Sequence, residues 1–153
     1  MAIRNIVLEG DPVLRKKSFE VTDFGKKTQD LLDDMKDTVK KAQGAGLAAP
    51  QVGVLRRVFV VDTEDGYFEF INPVMLSQKG SQTGDEGCLS VKNLYGTVTR
   101  PMKVKIKAFD RNGEEFIMEA SGFLARAICH EYDHLDGTLY IDKATNLYTP
   151  KEK

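Results

Sequence analysis

A chain of 153 residues, 41% hydrophobic and 29% charged, is long enough for one well-filled core and too short for two, and its composition excludes disorder and collagen-like repeats. Its 22 Lys and Arg against 23 Asp and Glu give a net charge of −1, which argues against direct nucleic-acid binding through phosphate contacts. Two Cys and two His are too few for a disulfide framework, so free thiols and a cytoplasmic location are expected.

The apolar patch within the first nine residues is too short for a signal-peptide core and is interrupted by charge. No stretch approaches the roughly 18 apolar residues of a membrane span. Asp11 and Pro12 form a helix opening, since Asp accepts from free amides and Pro suits the first helical position; a short helix to about Lys17 is expected. From Lys26 to Gln43, Leu31, Leu32, Met35, Val39 and Ala42 share one face, which predicts an amphipathic helix stopped by Gly44. Gly44 to Gln51 is Gly-rich yet too apolar for an ordinary solvent loop.

Strands are expected at Arg57 to Asp62 and Tyr67 to Leu76, with Pro73 pushing the second to an edge or bulge. Lys103 to Phe109 alternates strictly, so one face is buried. Asp110 to Gly113 forms a hairpin turn, and Glu114 to Glu119 returns. Ser121 is expected to cap a helix to about Leu135, with Gly137 as its stop, and Tyr148 to Lys153 to fray. Helices near both ends with strands between them imply an α+β class, all in one domain over 1–153 with a tail from about 143.

The strongest chemical signal is His130-Glu131-Tyr132-Asp133-His134, which contains both of the chain's histidines. At i and i+4 on a helix the two imidazoles stack on one face and can bind one ion. Glu131, about 100° round the helix from His130, can reach a water on that ion. A catalytic site of this kind wants a third protein ligand and an open position. No third His exists, so a Cys or a carboxylate must serve. Cys129 points about 100° away from His130 and reads as a small core residue. Cys88, in a tight Gly-containing loop between strands, could approach the helix from outside.

Three motifs in this order, Gly44-Ala-Gly-Leu-Ala-Ala-Pro-Gln51, Glu86-Gly-Cys-Leu-Ser90 and His130-Glu-Tyr-Asp-His134, together resemble peptide deformylase, the family that removes the formyl group from the initiator methionine of new bacterial polypeptides. Gly10 to Arg15, Ile71-Asn-Pro73 and Gly122 to Arg126 extend the likeness to about Asp142. The resemblance implies Cys88, His130 and His134 as metal ligands and Glu131 as acid/base. It implies Gln51 and the Leu89 amide as oxyanion donors, and Ala45, Gly46 and Gly87 as backbone partners of the substrate. Phe123 and Ala127 are expected to line a methionine pocket.

The implied fold has small antiparallel sheets round a central helix carrying the His pair. The implied cofactor is one divalent ion, Fe²⁺, replaceable by Zn²⁺, Ni²⁺ or Co²⁺, and the substrates are N-formylmethionyl nascent peptides. Many members have Gln where Cys129 stands, and some have Arg near Leu94 and Tyr95. The long C-terminal helix through which many bacterial members contact the ribosome is missing after Asp142, which leaves at most a transient ribosome contact and suggests a trimmed deformylase. A monomer without membrane association is expected. Two rival readings use the same His pair: a peptide-bond metallopeptidase, and an inactive module that merely holds a metal.

Overall fold

In the structure, a computed structural model describing residues 2–149, Asp11 caps its turn by accepting from the Val13 amide at 3.0 Å. The turn is a four-residue 3-10 helix, Pro12–Arg15, shorter than expected because Lys16 returns to extended backbone. Helix α1 (Lys26–Lys41) buries Leu31, Leu32, Met35 and Val39. It does not stop by placing Gly44 in the left-handed region. Gln43 takes that conformation at φ 56°, while the Gln43 and Gly44 amides donate to Lys40 and Val39 at 3.2 and 3.0 Å. Gly44 is there for room: a Cβ on it would lie 2.7 Å from Leu89 Cδ1.

Strand β1 (Gly46–Ala48) leads into a 3-10 helix, Ala49–Val52, that carries Gln51. Then come β2 (Val58–Thr63), β3 (Gly66–Lys79), β4 (Gln82–Cys88), β5 (Val91–Arg100), β6 (Lys103–Phe109) and β7 (Glu115–Ser121). After helix α2 (Gly122–His134) the chain makes a 3-10 turn, Tyr140–Asp142, and a two-residue strand β8 (Leu147–Tyr148). The strands form two sheets, in the orders β1-β2-β3-β6-β7 and β4-β5-β8, and every pairing is antiparallel.

Pro73 sits at a bulge, not an edge. The β3–β6 register slips between Ile71 and Val74, where Asn72 has φ 51° and grips Val21 through both its side-chain oxygen and nitrogen. Ser121 precedes α2 but its side chain makes no capping bond. The Gly122 amide, at φ 63°, donates instead to Met102 O at 2.9 Å. The expected fraying at Tyr148 is likewise absent, because β8 pairs with Tyr95 and Gly96 of β5. Residues 150–153 of the expected tail lie outside the described residues.

Strand β2 is buried on both faces, which explains its unbroken apolar run. Phe59 and Val61 pack with Ala125, Ile128 and Cys129 of α2. Val58 and Val60 pack with Leu32, Met35 and Val39 of α1. The two helices thus clasp the β1–β2 end of the large sheet, and α2 is the central helix that the α+β reading requires.

Candidate active site

Along α2, residues 124–131 are buried without interruption, polar groups included. Buried polar groups must be bonded, so the surroundings of His130, Glu131 and His134 define what the helix is for. His130 Nδ1 lies 2.9 Å from Glu86 Oε1. With a carboxylate there as acceptor, Nδ1 carries a proton, and Nε2 is the nitrogen left for an ion.

Cys88 approaches from the small sheet. It is the last residue of β4, paired with Val91 across a bulge, and not part of a loop as expected. Its Sγ is 3.5 Å from His134 Nε2, and ligand atoms of Cys88, His130 and His134 all lie within 4.8 Å of one another. A sulfur and a nitrogen held by one tetrahedral ion at ordinary bond lengths would be about 3.6 Å apart. His134, whose Nδ1 is buried and has no hydrogen-bond partner, is held by burial below its ordinary pKa, in the neutral form that ligation needs. Burial also opposes charge on His130. The Cys88 sulfur and the Glu131 and Glu86 carboxylates outweigh that and raise its pKa, so an ion would displace a proton from it. The donor set fits a divalent metal.

Glu131 stands beside this trio with Oε1 unbonded, and burial pushes its carboxyl up to about 7. Its place depends on Gly46, where a Cβ would lie 2.7 Å from Glu131 Oε2 and 2.8 Å from Cγ. Gln51 is held by its oxygen, which accepts from the Ala48 amide at 2.9 Å. Its Nε2 donates to Ser90 Oγ at 3.0 Å and points at Cys88 Sγ at 3.5 Å. Gln51, Cys88, Leu89, His130 and Glu131 border one cavity of about 310 Å³, together with Ala45, Gly46, Gly87, Phe123 and Ala127. His134 is buried and is not part of that lining. Cys129 packs in the core with Phe59 and Ile128, and burial raises its thiol to about 11.

Glu86 organises the site from beneath, a role the sequence reading left unassigned. Arg100 grips it with two bonds of 2.9 Å, Arg126 adds one of 2.6 Å, and His130 a fourth. Burial alone would raise its carboxyl, but the bonds from His130 and Arg100 hold it well below the ordinary range. Arg100 also reaches Asp133 at 2.7 Å, which ties β5 to α2. A searchable signal did exist: a ligating His usually donates its other ring N–H to a carboxylate, and Glu86 is two residues from Cys88. Asp85 had no such signal, and Tyr95 showed only as a departure from the family pattern.

A family model described as polypeptide deformylase matches residues 3–149. Among curated proteins, the peptide deformylase of Caldicellulosiruptor bescii is 53% identical over 99% of this chain and 92% of its own length. Peptide deformylase 1 of Bacillus subtilis is 50% identical over 99% and 96%. The crystal structure of the Thermotoga maritima peptide deformylase superposes with a TM-score of 0.93 at 37% identity, covering 95% of this chain and 100% of that one.

Proposed function

The chain belongs to the polypeptide deformylase family, and from that premise we propose which of its residues carry the reaction. The enzyme removes the N-formyl group from nascent polypeptides. The observation that carries the assignment of roles is the convergence of Cys88, His130 and His134 beside the unbonded carboxylate oxygen of Glu131, at a cavity that Cys88, His130 and Glu131 border.

Cys88, His130 and His134 hold the metal; Fe²⁺ is our reading, and Zn²⁺, Ni²⁺ or Co²⁺ suit the same soft-and-imidazole donor set. Such an ion supplies Lewis acidity, which makes water a usable nucleophile at neutral pH. Glu131 takes the proton from the attacking water and returns it to the methionine nitrogen as the formyl C–N bond breaks, so formate and a free amine leave. The Gln51 side-chain amide and the Leu89 N–H donate to the formyl oxygen as its negative charge grows.

The substrate chain enters extended. Strand β1 is an edge of the large sheet and β4 an edge of the small one, and Ala45, Gly46 and Gly87 from these two edges border the cavity. A peptide lying between them would be paired on both sides by backbone. Phe123 and Ala127 form the wall for the methionine side chain. Nascent chains as substrates go with work in the cytoplasm, as a monomer with a transient ribosome contact. Among the described residues no helix is long and apolar enough to cross a membrane.

The test supplies metal-loaded enzyme with formyl-Met-Ala-Ser and acetyl-Met-Ala-Ser and measures formate and peptide fragments separately. Formate from the first peptide, with little turnover of the second, is expected. Cleavage at Met-Ala without formate would instead indicate a peptidase, and metal binding without any turnover an inactive module.

A further inference from the structure

The last described strand, β8, pairs with β5, whose Tyr95 borders the cavity. Tyr148 of β8 pairs with Tyr95 of β5, and their rings stack at 6.1 Å between centroids. The Tyr148 hydroxyl crosses β5 to donate to Asp85 Oδ2 of β4 at 2.9 Å. Tyr95 and Asp85 both border the cavity. Gly87 carries no side chain, so the Tyr95 ring can lean over it; a Cβ there would meet Tyr95 Cε1 at 2.6 Å. Gly87, Tyr95 and Tyr148 therefore form a row across all three strands of the small sheet.

Tyr95 is 40% exposed, and among the described residues no hydrogen bond from its own hydroxyl holds it. In strands two side-chain rotamers are commonly open to such a residue. The Tyr148 ring fills the space on the side away from Gly87, and this leaves the orientation over the cavity. The segment carrying Tyr148 is fastened to the same strand elsewhere. Tyr140 donates to Leu94 O at 2.5 Å, the Thr145 amide to Thr97 O at 2.9 Å, and the Thr97 amide to Asn146 O at 3.1 Å. Gly96 permits this approach, since a Cβ on it would sit 2.6 Å from Ala144 Cβ.

We propose that Tyr148 is a positioning residue for substrate binding: through its ring against Tyr95 and its hydroxyl on Asp85, the C-terminal strand fixes the cavity wall that meets the residues following the formylmethionine. The inference rests on the deformylase reading and on Gly87 lying along the bound peptide. Gly87 immediately precedes the proposed ligand Cys88 along β4, so the Tyr95 ring that leans over Gly87 borders the cavity beside the metal site. A formylmethionine amide ends after one residue, whereas a tripeptide runs two residues further along the cavity and offers the wall more to contact.

The test compares Tyr148→Ala and Tyr148→Phe with the parent enzyme on formyl-Met amide and formyl-Met-Ala-Ser. For Tyr148→Ala, KM for the tripeptide should rise about fivefold more than KM for the amide, the scale of one aromatic pair, with kcat changing by less than about twofold on either. Tyr148→Phe, which keeps the ring and loses the Asp85 bond, should fall between. In a Tyr95→Ala, Asp85→Ala background, Tyr148→Ala should have no further effect. Equal loss on both substrates, or full additivity in that background, would overturn the proposal. A parent enzyme that releases no formate from either substrate would overturn the deformylase reading instead.

Discussion

At the scale of single residues the site depends on what is left out as much as on what is present. Gly46 has no side chain because the Glu131 carboxylate occupies the space. Gly46→Ala should therefore displace Glu131 and lower kcat by about 10²-fold or more while the metal stays bound, since a misplaced proton carrier forfeits much of a general acid/base contribution. Elemental analysis alongside the formate assay separates the two effects. Glu131→Gln should likewise keep the metal and lose about 10²–10⁴ in kcat, whereas Cys88→Ala should lose metal and activity together. Retention of full metal by Cys88→Ala would show that the ligand assignment is wrong.

At the scale of elements, α2 and β4 are joined by one buried cluster. Glu86, Arg100 and Arg126 have side chains at most 8% exposed, so truncating the shared acid takes the carboxylate partner from Arg126 and leaves Arg100 with Asp133 alone. Glu86→Ala should cost about 3–5 kcal/mol, read as a fall in the denaturant midpoint, and should weaken metal binding about 10–100-fold through loss of the His130 partner. Helix α2 itself was legible in the sequence because its apolar spacing and its His pair are local features. The hairpin of β6 and β7 was legible for the same reason, through strict alternation and an Asn-Gly turn. Strands β4 and β5 were not. Gln82 to Cys88 has two glycines and two acids in seven residues, and its extended form comes from pairing with β5 and from salt bridges to α2. Nor could the role of Glu86 be read locally, since its partners are 14, 40 and 44 residues away.

At the scale of the molecule, the segment around Arg15 is fastened to the segment that follows α2. Arg15 donates to Asp142 at 2.5 Å, and the Asp142 carboxylate also accepts from the Leu139 amide. Gly137 lies against the Arg15 backbone so closely that a Cβ would meet Arg15 O at 2.5 Å. The Arg15 hydrogen bond holds the Asp142 carboxyl below its ordinary pKa. A carboxylate depressed in the folded state stabilises at pH values above its unfolded pKa of about 4, and that contribution disappears as pH falls through the folded value. Between pH 6 and pH 3 the native protein should accordingly lose more stability than Asp142→Asn, by at most about 1 kcal/mol for so exposed a pair; thermal midpoints at the two pH values give the difference. Equal acid losses in both proteins would show that the bond contributes nothing.

An unpaired sheet edge is a hazard to any protein, because it offers backbone to the strands of neighbouring molecules. Here the edge β1 is three residues long and buried throughout, and Gly46 at its start borders the cavity. A strand in the middle of a folded neighbour cannot enter such a slot, whereas the free end of a chain can. On the proposed reading, the shortness of β1 would guard against self-association at the same place where it meets chain termini. Lengthening that edge would be expected to compromise solubility before it compromised chemistry.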